Sequence, residues 1–346
     1  MKVWIISSAL ALAMSTGAVA ANQRTAVPAS SPVRNLGTMV VSANQSGPAI
    51  WEFTRGRKKV WVLGTFPPLP EGLRFNSSEI EARIAQSDVV LGSPGLVVGA
   101  NIGIFRGLTL WPSVHRTKFN PDKRLLQDVL SPATYAKWKA ARSIFIGNDA
   151  GADRLRPMYA AYELFKVVVE QTQTSMDSAA GPDIERAAKK QNVQRVDARF
   201  RLAISEPKDA VKQFNVAGTD DVGCLEETLD RIVPFMQMSA IRGEAWASGD
   251  VSRLSELSRS GSEVNFCWAR LTNQAIGVQQ GFADIDRQVD AKWLEELRTA
   301  LASHDTVFTT LAVKELVGSS GLAAALQRDG FQMTSPGVVD HETANP

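Results

Sequence analysis

Trp61-Val62-Leu63-Gly64-Thr65-Phe66-Pro67-Pro68-Leu69-Pro70 is the stretch that decides the fold. Its first three residues are bulky and apolar, as a strand buried on both faces requires, and Gly64-Thr65 followed by prolines ends that strand abruptly. A strand that stops in this way delivers its next side chains to the mouth of a sheet, where open α/β folds build their sites. Gly64, Thr65 and Pro67 are therefore the first candidate site positions. Pro67 and Pro68 bring no side-chain acid, base or ligand, and no backbone N–H. The mouth is either a working site or one that has lost its chemistry.

Working outward, Ile50-Trp51-Glu52-Phe53 alternates, turns at Arg55-Gly56-Arg57-Lys58 and returns as Val60 to Leu63, which predicts a β-hairpin. Downstream, Ser78 and Glu81 have capping-box spacing and predict a helix from Glu79 to Gln86, and Asp88-Val89-Val90-Leu91 reads as a buried strand. Strand, helix and strand in that order make a β-α-β unit with parallel pairing. Gly92, Gly95, Gly99, Gly103 and Gly107 interrupt the next apolar segment. With neither Gly-x-Gly-x-x-Gly nor Gly-Lys-Ser/Thr, a flap or packed loop is expected there rather than a phosphate cradle.

Helices follow. Ser131-Pro132 opens one through Trp138, Pro157 one from Met158 to Glu170, and Gly181-Pro182-Asp183 one to Lys190. A short strand from Val193 to Val196 then leaves Asp197 at a strand end. Helices over Cys224 to Met236 and Ala240 to Trp246 precede polar loops around Ser260 and Gly261. The closing unit repeats the first: a helix from Ala291 to Ala302, a strand from Thr306 to Leu311, a turn over Ala312 to Glu315 and a helix from Ser320 to Arg328. The expected architecture is α/β, with α+β as its variant. It has a central mixed β-sheet from two similar strand-helix-strand halves, flanked by helices, in one domain over residues 49–335 with a helical middle section from about 120 to 305.

Met1-Lys2, an apolar run from Val3 to Met14 and Ala18-Val19-Ala20 read as a secretory signal over residues 1–20, with an uncleaved anchor as the alternative. Residues 21–48 read as a flexible linker and residues 336–346 as a disordered tail. The chain is thus expected to be exported, to the periplasm or beyond, with no stable membrane span once the signal is removed. Lys+Arg 38 against Asp+Glu 36 gives a net charge of +2, which calls for no nucleic acid. Cys224 and Cys267 could close a loop of about 43 residues and stabilise the fold by roughly 3–4 kcal/mol, two buried thiols being the alternative. There is no Cys-x-x-Cys, and His115, His304 and His341 are scattered. The tryptophans are spread through predicted elements and read as core.

The hairpin leading to Gly64-Thr65, the helix and strand to Leu91, Gly181-x-Asp183, Trp246-x-x-Gly249-Asp250 and the closing Phe308 … Leu316-Val317-Gly318 … Gly321-Leu322 … Gly330-Phe331 together resemble the TraB/GumN family. That family is related to the Tiki metalloproteases and the erythromycin-esterase-like fold, and the likeness runs from about Ile50 to Met333. It implies two Gly-x-x-His motifs, one at the first and one at the last strand end, with a glutamate after the second strand and another in the middle. Such a set could hold a divalent ion that activates water. Here the first motif falls on Gly64-Thr65-Phe66-Pro67, with proline in the histidine position. The second falls on Ala312-Val313-Lys314-Glu315, with Glu315 in the histidine position, and the first glutamate falls on Gly92 or Ser93. Asp197 matches the middle carboxylate. The arginine-asparagine pair before the last helix falls on Val289-Asp290, and Trp293 fits the pattern.

Asp197 and Glu315 alone leave at most two protein ligands, and Lys314 puts a positive charge beside them. The resemblance therefore implies an exported protein with a degenerate metal site, no cofactor, and a binding or scaffolding role toward an envelope protein, peptide or glycan. One alternative is a hydrolase, peptidase-like or esterase-like, built on Asp197, Glu315 and Lys314 or His115, with a divalent metal entering only in that case. The other alternative is an accessory factor in envelope polysaccharide export or remodelling.

Overall fold

The computed structural model describes residues 47–100, 112–147, 149–204, 206–216, 221–259, 282 and 284–336. The expected signal, most of the linker, the loops around Ser260 and Gly261, Cys267 and all but the first residue of the tail lie outside them. The linker ends earlier than expected, because Gly47 and Pro48 are already buried. The left-handed Gly249 (φ +68°) explains why: a Cβ there would meet the Gly47 carbonyl oxygen at 2.6 Å, so only glycine lets these two segments approach.

Strand β1 (Ile50–Arg55) and strand β2 (Lys58–Thr65) form the antiparallel hairpin, with Phe53 opposite Val60. A short β3 (Leu69–Pro70) leads to helix α1 (Ser78–Ala85), and then come β4 (Val89–Leu91) and β5 (Leu96–Ala100). Helix α1 begins one residue before the expected start, and Ser78 is not its cap. Asn76 Oδ1 takes both the Ser78 N–H and its hydroxyl, at 3.0 and 2.7 Å, while the Ser77 hydroxyl donates to Glu81 Oε1.

The helical section holds α2 (Leu126–Val129), α3 (Pro132–Phe145), α4 (Pro157–Gln171), α5 (Gly181–Lys190), α6 (Pro207–Val216), α7 (Asp221–Gln237), α8 (Ser239–Ser248) and α9 (Val251–Arg259). Strands β6 (Thr174–Ser175), β7 (Gln194–Val196) and β8 (Phe200–Ile204) interrupt it. Ser131 caps α3 as predicted, its Oγ accepting from the Thr134 N–H at 3.1 Å. The chain closes with α10 (Ile285–Ser303), β9 (Thr306–Ala312), α11 (Val313–Val317), α12 (Leu322–Arg328) and β10 (Gln332–Thr334). The turn expected over Ala312 to Glu315 is instead the start of α11. Val313 and Leu316 are buried three residues apart, and that apolar spacing makes a helical turn the better solution.

The six-stranded sheet has the order β10-β1-β2-β9-β4-β7. Strand β9 lies between β2 and β4 and is parallel to both, and β7 is parallel to β4. The two β-α-β halves therefore interlock, and the ends of β2, β9, β4 and β7 share one edge. One face carries Trp51, Val62 and Leu311 against Trp293, Leu297 and Leu326 of α10 and α12. The other carries Trp61, Leu63 and Phe308 against Ile80, Ile184 and Trp246 of α1, α5 and α8. A third apolar cluster, around Trp138, Leu164 and Leu225, holds the helical section together. No helix among the described residues is long and apolar enough to cross a membrane.

The glycine-rich segment after Leu91 is neither flap nor plain loop in its first half. Leu96 to Ala100 pairs in parallel with β8, so β5 and β8 continue β4 and β7 past the sheet edge. Between the two pairs the β4 side contributes residues 92–95 and the β7 side residues 197–199, a one-residue bulge. The ribbon packs on the start of α10 through Leu96, Phe200, Leu202, Ile285 and Val289.

Candidate functional site

The strand-end edge is built from the backbone outward. The Trp246 indole N–H donates to the Gly64 carbonyl at 2.7 Å, and the Trp293 indole N–H donates to the Gly92 carbonyl at 3.1 Å. Two buried tryptophans thus each donate to a main-chain carbonyl near the ends of β2 and β4. Phe75 meets Trp246 edge-on at 4.9 Å. Gly64 is required by packing, since a Cβ there would lie 2.6 Å from the Trp51 ring. The Thr65 hydroxyl donates to the Leu311 carbonyl at 3.2 Å and ties β2 to β9. Pro67 is half-buried just beyond, and its peptide bond to Pro68 is cis.

The structure brings Gly64 and Thr65 beside Leu311 and Ala312, and Lys314 and Glu315 follow within one helical turn. Asp197 is not brought to them. It follows β7, two strand positions from β9 and three from β2, which is roughly 10 and 14 Å at ordinary inter-strand spacing. It is also fully engaged: Arg199 Nε and Arg201 donate to its two oxygens at 2.7 Å each, and the Arg199 N–H adds a bond at 3.1 Å. The Arg199 guanidinium beside it holds its carboxyl down at about 2. His115 sits apart, exposed in a helical stretch over residues 112–116 with its ring against Phe119 at 5.4 Å.

Glu315 works as a helix cap. Its Oε2 accepts the Leu322 N–H at 3.2 Å and so closes the start of α12. Gly321 makes room for it, with φ at +102° and a would-be Cβ only 2.5 Å from Glu315 Oε2. A further charge at this edge is Asp290 on α10, half-buried, with its carboxyl raised to about 6. Burial is the main cause, the negative charges of Glu315 and Asp286 add to it, and the Lys314 ammonium opposes it. Sequence reasoning noted Asp290 only as an occupied motif position. The signal was its register on α10, three residues before Trp293, which points the helix at this edge.

A divalent metal held in the family's manner does not fit these residues. Proline cannot ligate, Asp197 is spent on two guanidiniums, and Glu315 is spent on a backbone N–H beside a lysine. Among the described residues no group of three or more His, Cys, Asp and Glu side chains is placed to hold a metal ion.

A helix-flanked mixed sheet, two of whose parallel strands end near glycines bonded by tryptophan indoles, defines an α/β domain with a strand-end site. The family model for the TraB/PrgY/gumN family matches residues 49–335, and the chain belongs to that family. No curated protein and no solved structure shows significant similarity to it.

Proposed function

We propose that this chain is an exported, non-catalytic member of its family, a binding or scaffolding protein of the cell envelope acting in the periplasm or outside the cell. Its partner on this reading is an envelope protein, peptide or glycan. The observation that carries the proposal is the employment of the two carboxylates left at family positions. Asp197 pairs with Arg199 and Arg201, and Glu315 caps α12, so each does structural work instead of facing a substrate. The residue pattern of positions 1–20 supports export. A Cys224–Cys267 bond would suit an oxidising compartment and belongs to this reading, and peptide mapping without reductant tests it. For the central reading, fluorogenic peptides and esters are offered to the purified chain with Zn, Mn or Fe supplied. Turnover lost on substitution of Asp197 or Glu315 by alanine contradicts the proposal, and its expected result is no turnover.

One observation favours a hydrolase as the second reading. Asp290, near 6 and facing Glu315 and Lys314, has the proton affinity that general acid–base work uses near neutral pH. Hydrolysis that follows a pKa near 6 and disappears in Asp290→Asn would select it.

A further inference from the structure

Strand β7 is an outer strand of the six-stranded sheet, and β8 continues it past the bulge. From Gln194 to Ile204 the chain has a paired strand on one side only, first β4 and then β5. Parallel pairing fixes which main-chain groups serve that side. The Val196 carbonyl accepts from the Gly92 N–H at 2.8 Å, and the Phe200 N–H donates to the Gly95 carbonyl at 2.8 Å. Val196, Phe200, Leu202 and Ile204 therefore turn their main-chain groups inward, whereas Arg195, Arg201 and Ala203 turn theirs outward. No strand among the described residues meets them there. The Arg199 N–H on that side is taken by Asp197 Oδ1 at 3.1 Å. Side chains alternate with the same period: Val196 and Ala198 pack into the core under α10, Phe200 and Leu202 pack on the start of α10, and Arg195, Arg199 and Arg201 stand exposed on the other face. These three guanidiniums answer to two carboxylates, Glu185 and an Asp197 that Arg199 and Arg201 share.

We infer that this edge receives an extended, acidic segment of another protein as an added strand. The segment pairs with the outward N–H and C=O groups of Arg201 and Ala203 and lays its carboxylates over Arg199 and Arg201. An open strand edge is a template for main-chain pairing, and the side chains flanking it choose the partner. The surplus of guanidinium over carboxylate on this face selects an acidic strand. It also disfavours a second copy of this chain, since antiparallel self-pairing of β8 would set two arginine faces side by side. A glycan has no ladder of N–H and C=O groups to offer the edge. An added strand would also bring the two-stranded β5–β8 ribbon to three, the number at which a sheet gains stability of its own. The inference concerns the sheet edge and uses none of Gly64, Thr65, Pro67 and Glu315, so it stands or falls separately from the proposed function.

Fluorescence anisotropy of a labelled octapeptide alternating valine and glutamate, titrated with the full chain at low salt, tests it. This peptide is expected to bind, and its valine–lysine counterpart should bind about tenfold more weakly or not at all. The valine–glutamate peptide N-methylated at every residue should not bind, because it has no N–H to give the edge. Ala203→Pro removes an exposed, outward N–H and leaves the β5–β8 pairing intact, so circular dichroism should be unchanged while affinity falls about tenfold or more. Arg201→Gln should weaken binding about twofold to fivefold. No binding of the valine–glutamate peptide, equal binding of the lysine or the N-methylated peptide, full affinity in Ala203→Pro, or a dimer of the chain that Ala203→Pro dissociates would each overturn the inference.

Discussion

Replacing Asp290 by asparagine probes the strand-end site where its electrostatics are least comfortable. In the folded chain this carboxyl is raised from the usual 3.8 to about 6, by burial first and by Glu315 and Asp286 second. The folded state therefore holds the proton more tightly than the unfolded state, and stability falls as pH rises from about 4 to about 6 and stays lower above. Roughly two pKa units correspond to about 3 kcal/mol, and because Asp290 is only half-buried, solvent screening reduces this to about 1–1.5 kcal/mol. Asparagine keeps the shape and removes the charge. The variant should be more stable than the parent by that amount at pH 7.5 and equal to it at pH 4. Urea unfolding followed by tryptophan fluorescence, run on both proteins across pH 4–8, measures the difference, in which the other titrating groups cancel. A variant that is less stable at pH 7.5, or a gap that does not close toward pH 4, would refute the placement of Asp290 among like charges.

Trp246→Phe leaves the Gly64 carbonyl without its 2.7 Å donor and should cost about 1–3 kcal/mol in urea unfolding. Gly321→Ala forces a side chain into a left-handed position against Glu315 and should destabilise by about 1–3 kcal/mol. Because the clash is with that carboxylate, Glu315→Ala in the same chain should recover part of the loss, and a strictly additive double variant would show that the two do not touch. Asp197, held at about 2 by Arg199, contributes stability that is present above pH 4 and lost as pH falls through 2. Carboxyl NMR should show it still ionised at pH 3, and a midpoint near 4 would break the assigned pairing.

Much of the sheet was legible because its strands carry their own punctuation. The Trp61 to Thr65 run, the hairpin turn at Gly56 and the buried β4 appear where the pattern puts them. What the sequence hid is order and extension. Strand β9 slips between β2 and β4, an arrangement fixed by packing on both faces and invisible to local periodicity. Strands β5 and β8 were missed because Gly99 breaks the apolar run of one and Arg201 dilutes the other, and only their mutual pairing makes them strands. At the site, the family positions could be counted from the sequence. What their occupants do could not, since a glutamate that caps α12 and an aspartate tied to arginines look the same in a chain of letters as two ligands.

The central claim is that the carboxylates at the strand-end positions are structural and that no divalent ion is held there. Metal content of the purified chain, measured by plasma mass spectrometry after equilibration with Zn, Mn and Fe and removal of loosely bound ions, tests it most directly. The account predicts well under one ion per chain, unchanged by Asp197→Ala or Glu315→Ala. One tightly bound ion per chain, lost when either residue is replaced, would contradict it.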